Sequence, residues 1–414
     1  MNLIFINRFF HPDEVATSLM LSDLAFALAK QGRHVTVITS RLNHGDSAIQ
    51  YPPHENLNGV CIYRVWTSRF GRSNLLGRAF DYLSFYFSAF LCLLQIVSKG
   101  DIVVAKTDPP IVSVIAQLAC RHKGAKQLNW LQDVFPEAVV ALGMRLPTPA
   151  LKLLTALRNW SVRNAHMNVV LGERMRERLL TDISGLKPEQ LVVIPNWSRD
   201  DEVRPVAADQ NPLRAQWGLE NAFVVGYSGN LGRAHEFQTF LQAAAAIQNA
   251  AAFADVSARI RFLFIGSGAG LAEVKAGVEQ MQLSNVLFKP FQPASQLAFS
   301  LSVPDLHLVS LLPSAEGLIV PSKYYGVAAA GRACAFVGDP DGELGRILSF
   351  CDGGQSFAIG EAGRLAAFIA NLARNPDMCG QMGLRARQWL DANGGFETAL
   401  AKWQACLNRV ENSQ

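Results

Sequence analysis

The sequence NLIFINRFFHPDEVATSLMLSDLAFALAKQGRHVTVITS, residues 2–40, decides the fold class. Short apolar runs at its two ends flank a segment in which apolar residues recur at helical spacing. Lys30 and Gly32 are typical of the carboxyl end of a helix. The stretch therefore predicts a strand, a helix and a second strand. The same order recurs between Asp101 and Leu131, and such repeated units predict a parallel sheet that binds ligands at the carboxyl ends of its strands.

A second series of strands is predicted in the other half of the chain. Its apolar runs are FVVGYSG at 223–229, IRFLFIGSG at 260–268, VLFKPF at 286–291, LHLVSLL at 306–312 and CAFVGD at 334–339. Between the two series the chain turns polar and carries prolines, which places a domain boundary there. We therefore predict an α/β protein with two Rossmann-like, doubly wound domains, 1–197 and 198–388, that face a central cleft. A C-terminal helix within 389–414 is expected to pack back on the first domain.

The composition excludes several classes of protein. The 414 residues are 50% hydrophobic and 17% charged, which excludes a disordered chain or a coiled coil. A net charge of +4 is too small to indicate nucleic-acid binding. The seven cysteines form no CxxC pair and no His pair complements them, so no metal site is predicted. The amino terminus lacks the basic start and long apolar run of a secretory signal, so we expect a cytoplasmic protein.

The segment FDYLSFYFSAFLCLLQIV, residues 80–97, is nearly all apolar. A membrane-spanning helix needs ~20 such residues, and Asp81 lies near the start of this run. A buried helix leading into the next strand is the favoured interpretation. The alternative is an interfacial helix on a membrane, because aromatic residues beside basic ones bind anionic headgroups. The basic residues before and at the start of this segment are Arg64, Arg69, Arg72 and Arg78.

GYSGNLGRAH, residues 226–235, joins a predicted strand to a predicted helix. Its glycines let the backbone approach a phosphate, which free amides at the helix start can hold. Arg233 and His235 would add side-chain donors. An ordinary tight turn explains this motif equally well. A second glycine turn, IGSGAG at 265–270, lacks the acidic residue of a dinucleotide site on the next strand, so we interpret it as a packing turn.

The block SLLPSAEGLIVPSKYYGVAAAGRACAFVGD, residues 310–339, carries the strongest indication of a ligand. A loop presents Glu316 and Gly317, a proline opens a helix, and Ser322 and Lys323 lie in its first turn. A lysine there opposes the helix dipole and contributes nothing to helix stability. We therefore predict that Lys323 binds an anion.

Carboxylates also follow strands of the first domain. In NWLQDVFPEAVVALG, residues 129–143, Asp133 and Glu137 lie just past a strand end, where one could bind sugar hydroxyls or assist proton transfer. The alternative is that Asp133 caps a short helix and Glu137 is a surface residue. Residues of the loop after the first strand also border the predicted cleft: His11, Asp13 and Glu14. Asp13 or Thr17 would serve equally well as a helix cap.

Taken together, these blocks resemble glycosyltransferase family 4, in particular the bacterial enzymes of capsule, colanic-acid and O-antigen assembly. The similar blocks, in family order, are residues 9–40, TDPP, LQDVFPEAVVALG, VIPNW, YSGNLG, EGLIVPSKYYGVAAAGR and the helical tail. The resemblance implies a GT-B fold and a retaining, metal-independent hexosyltransferase. It also implies a nucleotide-sugar donor, such as a UDP- or GDP-sugar, and no further cofactor. The expected acceptor is a lipid-linked saccharide at the inner membrane face, with peripheral membrane contact through residues 64–97.

The resemblance also implies roles for individual residues. The turn at 229–232 and Lys323 would contact the donor diphosphate, Glu316 the hydroxyls of the transferred sugar, and Phe291 the surroundings of the base. Asp133 stands about where many members have a histidine. The predicted catalytic residues are Asp133, Glu316 and Lys323, and the predicted donor-binding residues are Gly229, Asn230, Leu231, Gly232, Arg233, His235, Phe291, Gly317, Ser322 and Tyr324.

Two positions depart from the family pattern. Many members carry a second glutamate that is thought to hold the donor ribose, and here Tyr324 or Gly326 occupies its place. The basic residue after the glycine turn, commonly lysine, is His235. Phosphate binding would then depend on Arg233 and Lys323 and would be sensitive to pH.

Two other functions stay open at this point. A sugar-nucleotide epimerase of the hydrolysing kind shares the two-domain fold, and it would turn over the donor without an acceptor. A non-catalytic glycosyltransferase-like subunit would explain the missing second glutamate, and it would bind the donor weakly or without turnover. The block around Glu316 and Lys323 fits sugar transfer better than either of these.

Overall fold

The computed structural model describes residues 1–46, 48–71, 75–198 and 203–413. The chain forms two compact units. Unit 1 comprises Met1–Pro195 and Leu400–Gln414, and unit 2 comprises Asn196–Ala399. Each unit contains one mainly parallel sheet covered by helices, as the sequence predicts.

Unit 1 contains an eight-stranded sheet with the order β3-β4-β2-β1-β5-β6-β7-β8. Its strands are β1 Leu3–Ile6, β2 Val35–Ser40, β3 His54–Leu57, β4 Val60–Val65, β5 Ile102–Lys106, β6 Lys126–Trp130, β7 Met167–Val170 and β8 Leu191–Val193. All neighbouring strands are parallel except β3, which runs antiparallel to β4. Every residue of β1, β2 and β5 is buried, because a central parallel strand is covered on both faces.

The helices of unit 1 connect these strands. They are α1 Ala16–Lys30, α2 Leu75–Ile96, α3 Val112–Lys123, α4 Glu137–Ala141, α5 Thr148–Asn164 and α6 Glu173–Asp182. Helix α3 is ended by Gly124. The φ of Gly124, +68°, is in the left-handed region, which glycine adopts without steric cost.

Unit 2 contains a six-stranded parallel sheet with the order β11-β10-β9-β12-β13-β14. Its strands are β9 Phe223–Ser228, β10 Ile260–Ile265, β11 Val286–Lys289, β12 Leu306–Ser310, β13 Ala333–Val337 and β14 Gly354–Phe357. Its helices are α7 Pro212–Gln216, α8 Gln238–Asn249, α9 Ala254–Ser257, α10 Leu271–Gln280, α11 Leu297–Ser302, α12 Lys323–Ala329, α13 Glu343–Cys351, α14 Ala362–Arg374 and α15 Pro376–Asn393. The sheet order reverses direction between β9 and β12, and ligands of such sheets bind where the order reverses.

The last helix, α16 Phe396–Asn412, carries the chain from unit 2 back to unit 1. Within unit 1, the buried ring of Trp403 packs at 4.7 Å from that of Trp130 at the end of β6. Arg33 pairs with Glu411, and Lys126 Nζ donates to the Val410 carbonyl oxygen at 2.9 Å. The return to unit 1 starts at Leu400 rather than at residue 389, because α15 packs on α12 and β13 within unit 2.

The long apolar segment forms α2, but the helix is not buried as expected. Along Leu76–Ile96 only 28% of the most apolar window is buried, although the helix is long and apolar enough to span a membrane. Phe85, Ala89 and Leu93 are buried against the sheet. The opposite face exposes five large apolar side chains at helical spacing, which we call the apolar stripe: Leu76, Phe80, Leu83, Phe87 and Leu91.

The cationic patch expected beside α2 is smaller than the sequence suggests. Arg64 is buried and pairs with Glu55 on β3 at 2.5 Å, so it is not a surface cation. Arg69 is exposed and Arg78 is half-buried. Arg72 lies outside the described residues.

Candidate active site

The glycine turn of unit 2 follows β9 at the carboxyl edge of the sheet. Gly229 has a φ of +122°, and a Cβ atom there would lie 2.9 Å from Cε of Lys323. The turn therefore brings the backbone directly against the side chain of Lys323, an approach that only glycine allows. The amides of Gly229 and Leu231 donate to the carbonyl oxygens of Ile265 (2.9 Å) and Ser267 (2.8 Å), which fixes the turn in place.

Leu231 stabilises this turn through its buried side chain and its backbone hydrogen bonds. Its side chain is fully buried, and its carbonyl oxygen accepts from the amide of Gly270 at 2.9 Å. The amide and the carbonyl oxygen of Leu231 are thus both engaged within the protein, and its predicted donor contact stays a prediction. Of the predicted phosphate-binding turn, Asn230 and Gly232 are left as the candidates for backbone contact.

The second glycine turn packs under the first, as its interpretation as a packing turn predicts. A Cβ atom at Gly266 would lie 2.2 Å from the carbonyl oxygen of Gly229, and one at Gly268 would lie 2.5 Å from that of Leu231. Both glycines also have φ values near +140°. The two turns are therefore in backbone contact, and side chains at 266 or 268 would displace the residues of the first turn.

Lys323 and His235 form a hydrogen-bonded pair beside the glycine turn. The Nζ atom of Lys323 lies 2.6 Å from Nε2 of His235, and Nδ1 of His235 lies 2.6 Å from the carbonyl oxygen of Ser310 at the end of β12. A carbonyl oxygen only accepts, so Nδ1 carries the ring proton and Nε2 accepts from the lysine. The ammonium also lies 5.3 Å from the ring centre of Tyr227. These contacts leave further N–H groups of Lys323 for an anion.

The pKa values of Lys323 and His235 keep the lysine charged and the histidine neutral at pH 7. Burial, and the adjacent Lys323 ammonium, lower the pKa of His235 to about 4, so the imidazole is neutral at pH 7. Burial lowers the pKa of Lys323 to about 8, so the amine is still mainly protonated at pH 7. The structure thus places one cation, held by a neutral histidine, next to the glycine turn. His235 is a positioning residue for Lys323 rather than a second cation.

Glu316 is buried and its carboxylate lies at the start of α13. Oε1 accepts from the amide of Glu343 at 2.8 Å, and a Cβ atom at Gly342 would lie 2.5 Å from Oε2. Gly317, with a φ of +72°, turns the chain immediately after Glu316. Glu316 therefore contacts the first turn of α13, which could not be predicted from the sequence. Its role in binding a sugar stays a prediction.

Tyr324 stands at the place of the missing ribose-binding glutamate, and its side chain is buried. Its side chain is 1% exposed, its hydroxyl lies 3.5 Å from Sγ of Cys351, and its ring packs at 5.7 Å from Trp389. The side chain of Tyr324 therefore lies in the core, and the predicted donor contact of this residue stays a prediction. Ser322, which precedes α12, is exposed and makes no side-chain cap bond to that helix.

Two predicted donor residues are exposed at the same edge of unit 2. Arg233 follows the glycine turn and is exposed. Phe291 follows β11 and is 54% exposed. An exposed phenylalanine beyond a strand end offers a flat apolar surface of the kind on which a nucleobase stacks. Both residues keep their predicted roles as expectations.

In unit 1, Asp133 lies half-buried after β6. Burial and the nearby charge of Asp108 raise the pKa of Asp133 to about 6, which is the range of a general base near neutral pH. Asp108 follows β5, the neighbouring strand, and accepts from the Thr17 hydroxyl at 3.5 Å. Asp108 was not predicted as a site residue, although it stands in the quoted motif TDPP, which directly follows a strand.

The other predicted acceptor-side residues have structural contacts or are exposed. Asp13 is buried, and its Oδ1 accepts from Nδ2 of Asn43 and the amide of His44, both at 2.8 Å. Glu137 pairs with the buried Arg158 at 2.5 Å. Both carboxylates therefore connect elements of unit 1, and their acceptor-side roles stay predictions. Helix α1 starts without a side-chain cap, so neither Asp13 nor Thr17 is its cap.

His11 and Glu14 are exposed on the loop after β1 and keep their acceptor-side roles as expectations. Within the described parts of the chain, no group of three or more His, Cys, Asp or Glu side chains is arranged to hold a metal ion. The seven cysteines are all free thiols, and five of them are buried.

Comparison with known proteins bears on the family and the fold of the chain. Residues 17–197 match the glycosyl transferase 4-like domain family. The chain is 28% identical over 348 residues to a probable glycosyltransferase, WbjE, of Pseudomonas aeruginosa, and the match covers 82% of this chain and 83% of that protein.

Two solved structures share the fold over nearly the whole chain. Sucrose-phosphate synthase from Thermosynechococcus elongatus superposes with a TM-score of 0.76 at 17% identity, covering 99% of both chains. HepE of Anabaena, solved in complex with UDP and glucose, has a TM-score of 0.73 at 15% identity and the same coverage. At these identities the likeness shows the fold. The chain is thus a glycosyltransferase with the GT-B fold, and its residues 17–197 match the glycosyl transferase 4-like domain family.

Proposed function

We propose that the protein transfers a sugar, with retention of configuration and without a metal, from a nucleotide-sugar to a lipid-linked saccharide. The observation that carries this proposal is the Lys323–His235 pair beside the Gly229 turn. A single partly buried ammonium against a glycine backbone is suited to a diphosphate, and it stabilises the negative charge that develops as the nucleoside diphosphate departs. The retaining course and the independence from metal rest on the family resemblance.

The proposed donor is a UDP-sugar. HepE, which shares the fold, was solved with UDP and glucose. In this chain the exposed ring of Phe291 and the turn at 229–232 supply a surface for a base and a site for a diphosphate at one edge of unit 2. A GDP-sugar is the second candidate, because neither contact selects between the two bases.

On the acceptor side, Asp133 is the proposed group that receives a proton from, or orients, the acceptor hydroxyl. Its raised pKa suits this task, because a carboxylate with a pKa of about 6 is ionised at pH 7 and still basic enough to accept a proton. The negative charge of Asp108 contributes to the raised pKa of Asp133, because it disfavours a second negative charge nearby.

The proposed acceptor is lipid-linked because of the apolar stripe on α2. Phe80 is 58% exposed and Phe87 is 66% exposed, and both lie on one face of a helix whose other face is packed on the sheet. A helix with this division, flanked by Arg69 and Arg78, is suited to lie in the interface of an anionic membrane. We therefore place the enzyme on the inner face of the cytoplasmic membrane, where surface polysaccharides are assembled on lipid carriers.

Donor binding is tested by a thermal-shift screen of the purified protein against UDP, GDP, CDP and ADP, with and without Mg²⁺. A ligand that binds only the native state raises its melting temperature. We expect a rise with UDP that does not depend on Mg²⁺, is absent in Lys323→Ala and persists in Lys152→Ala, an exposed lysine on α5. An equal rise in the two variants would remove the role assigned to Lys323.

Membrane contact is tested by sedimentation with anionic phospholipid vesicles. The variant with Phe80→Ser and Phe87→Ser should release the protein from the vesicles, because two exposed apolar contacts are lost while the packed face is untouched. Leu153→Ser, an exposed leucine on α5, is the matched control. Binding of the double variant at the level of the control would refute the membrane-facing role of the stripe.

A further inference from the structure

A cavity of about 260 Å³ lies in unit 2, at the edge of the sheet opposite to the glycine turn. It is lined by the residues that directly precede β10, β12 and β13 and by the first residue of β9. Because these strands are parallel, their amino ends meet at this edge, and we call the space the amino-edge cavity. The residues that determine its chemistry are Glu220, Phe223, Arg259, Asp305, Arg332 and Cys379.

The amino-edge cavity is separate from the donor site. Strand β9 begins at Phe223, which lines the cavity, and ends at Ser228, directly before the Gly229 turn. Its six residues span about 20 Å, because an extended strand rises ~3.3 Å per residue. A diphosphate bound at the glycine turn therefore does not reach the cavity, so any ligand of the cavity is a second one.

Arg332 supplies a half-buried cation to this cavity. Its Nη2 atom donates to the carbonyl oxygens of Val206 and Ser302 at 2.6 and 2.8 Å, which fixes the guanidinium in place. Both acceptors are uncharged, and the buried Nε has no partner among the residues that the structure describes. Burial lowers the pKa of Arg332, because the charge is removed from water without a full counter-charge.

Arg259, directly before β10, supplies a second cation to the cavity. The side chain is exposed, and Nη2 donates to the carbonyl oxygen of Ala373, which is again an uncharged acceptor. A guanidinium has five N–H donors, so Arg259 and Arg332 both keep donors for a ligand.

Two carboxylates act electrostatically on these lining arginines, and both are already paired with other arginines. Oδ2 of Asp305 accepts from Nη2 of Arg214 at 2.5 Å. Oδ1 of Asp255 accepts from Nη2 of Arg374 at 2.7 Å. The two lining arginines therefore leave the cavity with a surplus positive charge.

The remaining polar residues of the cavity do not cancel this charge. Glu220 is exposed, so water and salt screen its carboxylate. The thiol of Cys379 donates to the carbonyl oxygen of Asp305 at 3.3 Å. Burial raises the pKa of this thiol to about 12, so it is neutral at pH 7. The cavity therefore has the chemistry of a site for a small anion.

We propose that the amino-edge cavity binds a phosphate group, as the free ion or as a small phosphomonoester, in addition to the nucleotide of the donor site. A phosphate carries a charge of about −1.5 to −2 at pH 7 and accepts from guanidinium forks, which matches two unpaired arginines. The cavity is smaller than the ~300–1,000 Å³ of sites for drug-sized ligands, so it suits a phosphate with at most a small organic group. The inference does not depend on the identity of the sugar donor or acceptor.

The test measures the binding of inorganic phosphate to the full chain by phosphorus NMR line broadening at constant ionic strength. Glycerol 3-phosphate is the second probe, and acetate is a competitor that carries a carboxylate instead of a phosphate. A parallel titration contains saturating UDP. The variants are Arg259→Gln, which changes an exposed side chain, and Arg332→Lys, which keeps the charge but removes the fork. Arg121→Gln, an exposed arginine at the end of α3 in unit 1, is the matched control.

We expect phosphate binding to persist when UDP is saturating. Arg259→Gln should weaken it about tenfold, the usual effect of losing one charge-assisted contact, and Arg121→Gln should leave it unchanged. Tighter binding of glycerol 3-phosphate than of inorganic phosphate would support an ester as the ligand, and the reverse order would support the free ion. Equal phosphate affinity in Arg259→Gln and Arg121→Gln would overturn the proposal. Complete displacement of phosphate by UDP, or displacement by acetate at equal concentration, would also overturn it.

This proposal and the proposed function fail separately. Loss of UDP binding with intact phosphate binding would contradict the donor assignment and leave the amino-edge cavity standing as a phosphate site. Intact UDP binding without phosphate binding would do the reverse. Arg332→Lys should also weaken phosphate binding, and if it does not fold, as judged by circular dichroism, Arg259→Gln alone decides the outcome.

Discussion

Donor affinity is expected to fall as the pH rises past about 8, because Lys323 binds a diphosphate only as the ammonium. Burial lowers the pKa of this lysine to about 8, and the donated hydrogen bond to His235 does not restore the usual value. A bound diphosphate favours the charged amine and raises its pKa again. UDP binding above pH 8 is therefore coupled to the uptake of a proton by the lysine.

The size of the effect follows from the titration of one group. With a pKa of about 8, the protonated fraction falls from roughly nine-tenths at pH 7 to roughly one quarter at pH 8.5, so the dissociation constant of UDP should rise about fourfold. The ligand does not titrate in this range, since the second pKa of a phosphate lies near ~6. At pH 8 the binding of UDP should take up about half a proton.

The assay is isothermal titration with UDP at pH 7.0, 7.75 and 8.5, repeated in two buffers of different ionisation enthalpy to count protons. Lys323→Arg is the matched variant, because arginine stays charged throughout (pKa above ~12) and its affinity should not change with pH. A flat dissociation constant in the wild-type protein, or an equal decline in Lys323→Arg, would refute the assignment of this titration to Lys323.

Three further predictions follow from contacts in the two units. Gly266→Ala should weaken UDP binding roughly tenfold, because its Cβ would lie 2.2 Å from the Gly229 carbonyl oxygen. Gly363→Ala is the control, since a Cβ atom there would have no neighbour within 4 Å. Equal UDP titration curves for the two variants would contradict this prediction. Trp403→Ala should destabilise unit 1 by about 3–5 kcal/mol in urea unfolding, and Trp66→Ala, at a residue 61% exposed, by less than about 0.5 kcal/mol. Since Asp133 must be ionised to accept a proton, kcat/KM should rise as the pH increases through about 6, and Asp133→Asn should lack this rise; an unchanged acid limb would exclude Asp133 as the base.

The strands that position the donor site could be predicted from the sequence, because central parallel strands are continuous apolar runs. Every one of the runs at 223, 260, 286, 306 and 334 contains a strand of unit 2. Two strands at sheet edges, β3 and β14, were missed. β3 is only four residues long with alternating exposure, and β14 is half-buried over most of its length, so neither leaves a continuous apolar run.

The prediction that Lys323 binds an anion depends on its placement against the helix dipole, which has no benefit for stability. The direction of a neighbouring side chain could not be predicted. Tyr324 follows Lys323 in the chain, yet one residue along a helix rotates the side chain by about 100°, which turns Tyr324 into the core. The pairing of Lys323 with His235, 88 residues earlier, depends on the meeting of β9 and β12 in the sheet, which no local pattern encodes.

The exposure of α2 also could not be predicted from the sequence. Its apolar residues are so numerous that a buried helix and an interfacial helix give the same pattern. The structure shows one face packed on the sheet, with Phe85 buried, and the other exposed, with Phe87 on it, while the membrane contact itself stays a proposal. Likewise the sequence placed Asp13 and Glu137 at the correct edge of the sheet but could not show that Asn43 and Arg158 already engage them.

The proposed reaction moves a sugar from a nucleotide donor to a lipid-linked acceptor through Lys323. It is tested most directly by incubating labelled UDP-sugars with the enzyme and a lipid-linked saccharide fraction, and by following the label into the organic phase. We predict labelled lipid product with retained anomeric configuration, its formation dependent on the acceptor and lost in Lys323→Ala but not in Lys152→Ala. Conversion of the donor to an epimer without acceptor, or bound UDP without any labelled product, would contradict the account.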